Sequence, residues 1–269
     1  MPQAADRAFA DRPLPALSAV VARLLALYAE KDYTPEQVAA VLEMDPGLSA
    51  RVLRLANSAY FGFLGRVDSV QRSVVLLGEV TVQAVSLGTT LLRAWRGTRL
   101  PAPVEEVWVH SYVCGLMCRH AARLLPGQVL RAAPDALFLA GLLHDVGKIL
   151  FLAEAGEGYG TDLEEAATAG ELREREIARF GRDHAQAGAE LLREWNLPSW
   201  LSALVGHHHA GELRAELQAA LEVLAASHAV SRGTVPAQGE IVTPGIRAAL
   251  AERQGRAREE AQEFYRAIS

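Results

Sequence analysis

The sequence is poor in sulfur and aromatic rings and has no long apolar run. Of its 269 residues, two are cysteine, three are methionine and 6% are aromatic. Two cysteines cannot staple a small domain. Cys114 and Cys118 stand four apart on a predicted helix and are read as reduced, small core residues, with a redox or metal role as the alternative. Few rings and abundant Ala and Leu favour helix over sheet, and no stretch alternates polar and apolar as a strand does. The longest apolar stretch, Ala136 to Leu143, is eight residues, far short of the roughly 20 that span a bilayer. The opening MPQAADRAFADRPLP has no signal-peptide core. These absences predict a cytoplasmic protein without a membrane span. Basic charge is also in deficit, with 27 Lys and Arg against 32 Asp and Glu and a net charge of -5. That balance makes nucleic acid an unlikely main partner. Arg51, Arg54, Arg66 and Arg72 cluster in the N-terminal layer, and read as a solvated face, with nucleic-acid binding as the alternative.

What is present is helix punctuation. Leu17, Val20, Val21, Leu24, Leu25 and Tyr28 recur at helical spacing. Thr34-Pro35-Glu36-Gln37 has the form of an N-cap, a first-turn proline and a capping box. Asp45-Pro46 opens the next helix, to about Asn57, and Asp68-Ser69 opens another that stops near Gly78. A further helix follows through Val80, Val82, Val85 and Leu91. The run Arg96 to Pro103 is rich in helix stoppers and marks a boundary. Beyond it, helices are predicted over 104–124, 135–153, 170–180, 183–195, 198–209 and 215–231. A loop then covers Val235 to Thr243, and a charged helix starts at Thr243-Pro244. The fold class is all-α. Three parts follow: 13–98, 101–235, and a tail at 236–269. Asn57 is expected to satisfy backbone groups at a helix end, and Trp195-Asn196-Leu197-Pro198 to stop a helix.

The chemistry centres on Gly141-Leu142-Leu143-His144-Asp145-Val146-Gly147-Lys148. An apolar helix carries a histidine and an aspartate side by side, and burying both is costly unless they are paired or coordinated. An imidazole with an ionised carboxylate is a good ligand pair for a divalent metal. Lys148, one helical turn after Asp145, shares its face and suits an anionic group such as phosphate. Further donors must come from elsewhere. His110 lies upstream, with Glu106 one turn before it on the same face. His184 and His207-His208 lie downstream near helix ends. His120 and His209 are read as ordinary side chains. Each histidine alone has a plain structural explanation; their joint pattern around an apolar His-Asp pair points to a shared metal-type site.

The order His110, His144-Asp145-Val146-Gly147-Lys148, His184, His207-His208 resembles the HD superfamily of metal-dependent phosphohydrolases, and within it the HD-GYP branch, which hydrolyses cyclic di-nucleotides. The N-terminal half resembles a related group. Glu43-Met44-Asp45-Pro46-Gly47-Leu48, Leu53 to Gly62 with its Asn57-Ser58 pair, and Ser69 to Gly78 are similar to the HDOD family, the HD-related output domain of bacterial signalling proteins. The similarity covers roughly residues 13–232. It implies an HD-like helical bundle with an additional N-terminal helical layer. By the HD-GYP pattern, Glu106, His110, His144, Asp145, His184, His207 and His208 correspond to metal ligands, with Asp145 and Lys148 in catalytic positions. The implied cofactor is a divalent metal (Fe, Mn, Mg, Zn or Ni) as one ion or two. The Gly-Tyr-Pro signature is absent. The aspartate of the following helix is replaced, with Ser227 in its place and His228 beside it.

Two functions are therefore expected. One is a signalling output module that binds a protein partner or a ligand. The other is a phosphohydrolase acting on a nucleotide or cyclic di-nucleotide. HDOD members mostly serve in the first role, which this chain is taken to share, while its retained histidines keep the second open.

Overall fold

The computed structural model describes residues 16–30, 32–58, 67–92, 102–125, 133–209, 212–234 and 241–269. Arg66, the Ala59 to Gly62 end of the Asn57 motif and most of the Arg96 to Pro103 break lie outside them. Every regular element among the described residues is an α-helix, and the architecture is an HD-like helical bundle together with a further helical unit. One compact unit takes residues 15–96 and 258–269, and the other residues 97–257.

The first unit holds α1 (Ala19–Ala29), α2 (Pro35–Leu42), α3 (Pro46–Ala56), α4 (Val70–Leu77) and α5 (Glu79–Leu92). Its helices begin where side chains can satisfy the free amides of a first turn. Thr34 and Gln37 form a reciprocal capping box on α2, Asp45 caps α3 through Gly47 and Leu48, and Ser69 caps α4. Asn57 ends α3 and clamps the returning chain: its Nδ2 donates to the carbonyls of Leu53 and Val67 at 2.9 and 2.8 Å, and its Oδ1 accepts from the Val67 amide at 2.9 Å. Leu24, Leu42, Leu48, Val52 and Leu55 fill the core. The charged C-terminal helix α14 (Pro244–Ile268) divides at Ala257: its start belongs to the bundle and its end to this unit. Here the Arg51 guanidinium donates to the Ile268 carbonyl at 2.7 Å.

The second unit is built on α6 (Ala102–Leu124), α7 (Pro134–Leu143), α8 (Val146–Ala155), α11 (His184–Glu194), α12 (Ser199–His207) and α13 (Ala215–Ser231), with α9 (Glu157–Glu165) and α10 (Ala169–Phe180) on one side. Two glycine contacts set its dimensions. A Cβ on Gly141 would lie 2.6 Å from the Gly115 backbone, so α7 and α6 touch main chain to main chain. A Cβ on Gly147 would lie 2.0 Å from the His184 carbonyl oxygen, so α8 rests directly on the start of α11. Glycine is required at such approaches because nothing larger fits.

The helix predicted over 135–153 is interrupted. His144 ends α7 and Asp145, at φ -100° and ψ 14°, opens α8. The segment Pro134–Ala155 is apolar and long enough for a bilayer by composition, yet 83% of its most apolar window is buried inside the protein, as in a core helix. Cys114 and Cys118 are free, buried thiols.

Candidate metal centre

The break at His144-Asp145 turns two adjacent side chains toward one point between α6, α8, α11, α12 and α13. His144, Asp145 and His184 are at most 1% exposed. Asp145 lies at the middle. Its Oδ2 is 3.4 Å from His144 Nε2 and 3.5 Å from His110 Nε2. Its Oδ1 is 3.4 Å from His184 Nε2 and 3.6 Å from His208 Nε2. His228 closes the first side, with Nδ1 2.8 Å from His144 Nε2 and 3.3 Å from His110 Nε2. His209 closes the second, with Nε2 3.0 Å from His184 Nε2. Two sets of four donors result, His110-His144-Asp145-His228 and Asp145-His184-His208-His209, joined through the one carboxylate.

Second partners fix the ring tautomers. A carbonyl can only accept, so His144 Nδ1 donates to Gly141 O and His208 Nδ1 to Val205 O, each at 2.7 Å. Ser231 gives its hydroxyl proton to the His228 carbonyl at 2.8 Å and can accept from His110 Nδ1 at 3.1 Å. The His184 Nδ1–H donates to Glu176 Oε2 at 2.7 Å. In its neutral form each of these four rings turns a bare Nε2 lone pair inward. Lone pairs 3.3 Å apart, as at His110 and His144, repel unless a cation lies between them.

His228 and His209 can each lend one proton, but the buried His208 Nε2 and Asp145 Oδ1 have no hydrogen-bond partner. Orphaned buried acceptors of this kind are costly. A tetrahedral ion bonded at about 2.1 Å holds its donors about 3.4 Å apart; the neighbouring donors named above are 2.8 to 3.6 Å apart, and within each set all lie within 4.8 Å of one another. The residues fit a divalent ion on each side of Asp145.

The electrostatics suit the same role. Burial pushes the pKa values of His110, His184 and His228 well below the ordinary imidazole value, in spite of the Asp145 charge. Burial also lowers His208, and takes His209 down to about 3. Burial would raise the Asp145 carboxyl, yet His144 and Lys148 beside it hold it well below its usual range. Neutral imidazole and ionised carboxylate are the forms that bind metal. Lys148 is buried and its Nζ lies 2.7 Å from Asp145 Oδ2.

The structure gathers His110, His144, Asp145, His184 and His208 with Lys148 alongside. Two residues proposed from the sequence lie elsewhere. Glu106 is exposed on α6 and belongs to neither set. His207 is exposed at the last turn of α12, with Nδ1 2.9 Å from Ala203 O. The buried face of α12 runs through Leu201, Leu204 and Val205. One turn on from the last two, it delivers His208 and His209 and leaves His207 outside. His209, read from the sequence as ordinary, and His228 thus complete the sets. On α13 it is His228 that joins a donor set, while its neighbour Ser227 is buried with an unpartnered Oγ.

A supporting layer also went unread. Glu176 on α10 is fully buried. It accepts from the His184 amide at 2.8 Å, from His184 Nδ1 and, on its other oxygen, from the Tyr159 hydroxyl. Burial pushes this carboxyl up to about 7, with the Tyr159 and His184 donors pulling against it. Tyr159 is held edge-on to Phe151 and Phe180, which stack 4.0 Å apart.

Comparison with known proteins supports the fold. A candidate phosphohydrolase of Shewanella amazonensis superposes with a TM-score of 0.69 at 22% identity, covering 95% of both chains. An HDOD domain protein of unknown function from Geobacter sulfurreducens gives 0.67 at 20%, covering 93% of this chain and 87% of its own. A candidate signal transduction protein of Marinobacter aquaeolei gives 0.74 at 22%, covering 94% and 59%. In sequence, an uncharacterized protein of Treponema pallidum is 25% identical over 204 residues, which are 74% of this chain and only 39% of that relative's length. The model of the HDOD domain matches residues 14–211, and the chain belongs to the HDOD family.

Proposed function

We propose that the chain is a bacterial signalling output domain of HDOD type. It holds two divalent ions on Asp145 and six histidines, and acts by binding a signalling protein or an anionic ligand. The observation that carries this reading is the double donor set, in which His208 Nε2 and Asp145 Oδ1 have no other partner. The family membership and the fold shared with a candidate signal transduction protein agree with it. Enclosure favours an output role over fast turnover: His144, Asp145, His184 and Lys148 are all at most 4% exposed. The cytoplasm is the compartment that goes with this reading.

Phosphohydrolysis is the second reading, and one observation favours it. His228 fills the place of the lost aspartate, so neither half lacks a fourth donor. Two ions held by these residues would supply Lewis acidity toward a phosphoryl group and would activate water as a nucleophile. The chain's own residues would hold the ions through imidazole nitrogens, Nδ1 of His228 and Nε2 of the other five, and through the Asp145 carboxylate, and Lys148 would bring positive charge to the same face.

Elemental analysis of the purified full chain tests both. The first reading expects close to two equivalents of a transition metal and no enzyme-like hydrolysis of cyclic di-nucleotides or simple phosphodiesters. Metal-dependent turnover would replace it with the second. Absence of bound metal after growth and refolding with Mn, Fe, Zn or Ni would remove both.

A further inference from the structure

The two donor sets look alike in composition, but their surroundings differ. His144 and His208 donate from Nδ1 to backbone carbonyls, and His110 faces a serine hydroxyl. Only His184, among these four rings, has a carboxylate behind it, since Glu176 Oε2 accepts its Nδ1–H. A carboxylate in that position makes the opposite nitrogen a stronger donor, and it fixes the ring. The same oxygen accepts the His184 amide, and Tyr159 secures the other oxygen, so the support is rigid.

Asp145 is asymmetric as well. Its Oδ1, which faces His184 and His208, has no hydrogen-bond partner. Its Oδ2, which faces His110 and His144, already accepts from the Lys148 ammonium at 2.7 Å. A cation entering the His110 side must share that oxygen with a buried positive charge or push the charge away. Coulomb repulsion over such a distance is large where water is excluded.

We infer, resting on the metal-centre reading above, that the halves are unequal: the His184-His208-His209 half binds its ion first and tightly. The His110-His144-His228 half takes a second, weaker ion, gated by Lys148. Glu176 is the positioning residue of the tight half. Occupancy of the weak half then follows the supply of free metal, so the domain has distinct one-ion and two-ion forms to offer a partner.

The test is titration of chelator-stripped full chain with Co(II) at pH 8, where the Glu176 carboxyl is ionised, followed by calorimetry and by the visible bands that report coordination. Wild type should give two steps separated by at least about tenfold in affinity. Glu176→Gln keeps the shape and the acceptor but removes the charge. It should weaken the first step by roughly 10–100-fold and leave the second where it was. Lys148→Met should tighten the second step by at least about tenfold, closing the gap from the other side. Two equal steps in wild type overturn the inference. So does a Glu176→Gln effect falling equally on both steps, or a Lys148→Met variant with an unchanged or weaker second step. If Glu176→Gln does not fold, the wild-type and Lys148→Met titrations decide. Failure to bind Co(II) at all would instead overturn the metal-centre reading itself.

Discussion

Replacing Gly147 by alanine sets two effects of opposite sign against each other. Gly147 lies in helix α8, where alanine is favoured over glycine by up to about 1 kcal/mol. If only local helix energetics counted, the variant would be slightly more stable. The added Cβ, however, would sit 2.0 Å from the His184 carbonyl oxygen, 2.7 Å from its carbonyl carbon and 2.8 Å from its Cα. Those are backbone atoms at the start of α11, where Asp183 and Gln186 form a capping box, so no side chain can swing aside. Comfortable contact needs about 3.5 Å, so α8 and α11 must separate by more than about 1 Å. Overpacking of this kind costs on the order of 1–3 kcal/mol, which exceeds the gain from propensity.

The residue displaced is His184 itself, so the metal site must move with it. The expected outcome is a melting temperature lowered by several degrees, at about 2–4 °C per kcal/mol for a chain of this size. Metal affinity should fall by at least roughly tenfold, read by calorimetry on chelator-stripped protein. Gly255→Ala is the matched control. It lies in α14 with nothing within 4 Å of the added Cβ, and should be neutral or stabilising by up to about 1 kcal/mol. A Gly147→Ala protein that melts at or above wild type and binds metal normally would refute the close-contact account of the site.

His209→Ala and His228→Ala should each cost the protein one ion, and Asp145→Ala both, by elemental analysis after dialysis, while His207→Ala keeps the wild-type content. Asn57→Ala deletes three hydrogen bonds at the end of α3 and should lower stability by about 1–3 kcal/mol, read from the urea midpoint. Metal-stripped protein should lose stability as pH falls. The folded pKa values of His110, His184, His208, His209 and His228 are depressed, so below about 6.5 the unfolded chain binds more protons. Glu176, raised to about 7, acts oppositely: its contribution is present below about 4.5 and lost as pH rises through 7. Unfolding at pH 5 should thus take up protons on balance, five imidazoles outweighing one carboxyl. A urea midpoint that is flat from pH 7 to pH 5 would contradict this.

Much of the fold was legible because helix starts carry their own chemistry. Thr34-Pro35, Asp45-Pro46 and Ser69 each cap the helix that their side chains announced. Helix α9 was not legible: Glu157 to Glu165 holds two glycines and a single leucine, so it has no apolar stripe. Its one decisive residue, Tyr159, is a buried ring whose role depends on Glu176, seventeen residues away.

Within the site, the pair His144-Asp145 stood out because charge in an apolar run needs a reason. His207 and His209 were exchanged in the reading because adjacency says nothing about facing. Extending the buried row Leu201, Leu204, Val205 by one turn points to His208 and His209. The same step from Leu221 and Leu224 on α13 reaches His228. Glu106 shared a helix face with His110 by spacing alone, and exposure placed it outside. No sequence signal marks Glu176, whose position behind His184 arises only when α10 packs beside the start of α11.

The charge of the centre argues for an anionic ligand. Without metal, Asp145 and Lys148 neutralise each other at 2.7 Å, so this pair adds no net charge to the empty centre. Two divalent ions bring four positive charges against the same single carboxylate. Burying so much uncompensated charge is unfavourable, and Lys148 adds to it. An anion that enters with the ions relieves this, and inorganic phosphate is the simplest probe. Phosphate should therefore raise the apparent affinity for metal, by roughly 5–150-fold if the coupling is of ordinary size. By linkage, metal should raise the affinity for phosphate by the same factor. The effect should fall mainly on the second ion, which adds the greater excess of charge. Calorimetric titration of Co(II) with and without saturating phosphate measures it, after correction for free Co(II)–phosphate association. Chloride at equal ionic strength controls for screening. A second step that does not respond to phosphate would show that the chain itself, or water alone, balances the loaded centre, and would remove the electrostatic case for a phosphorylated ligand.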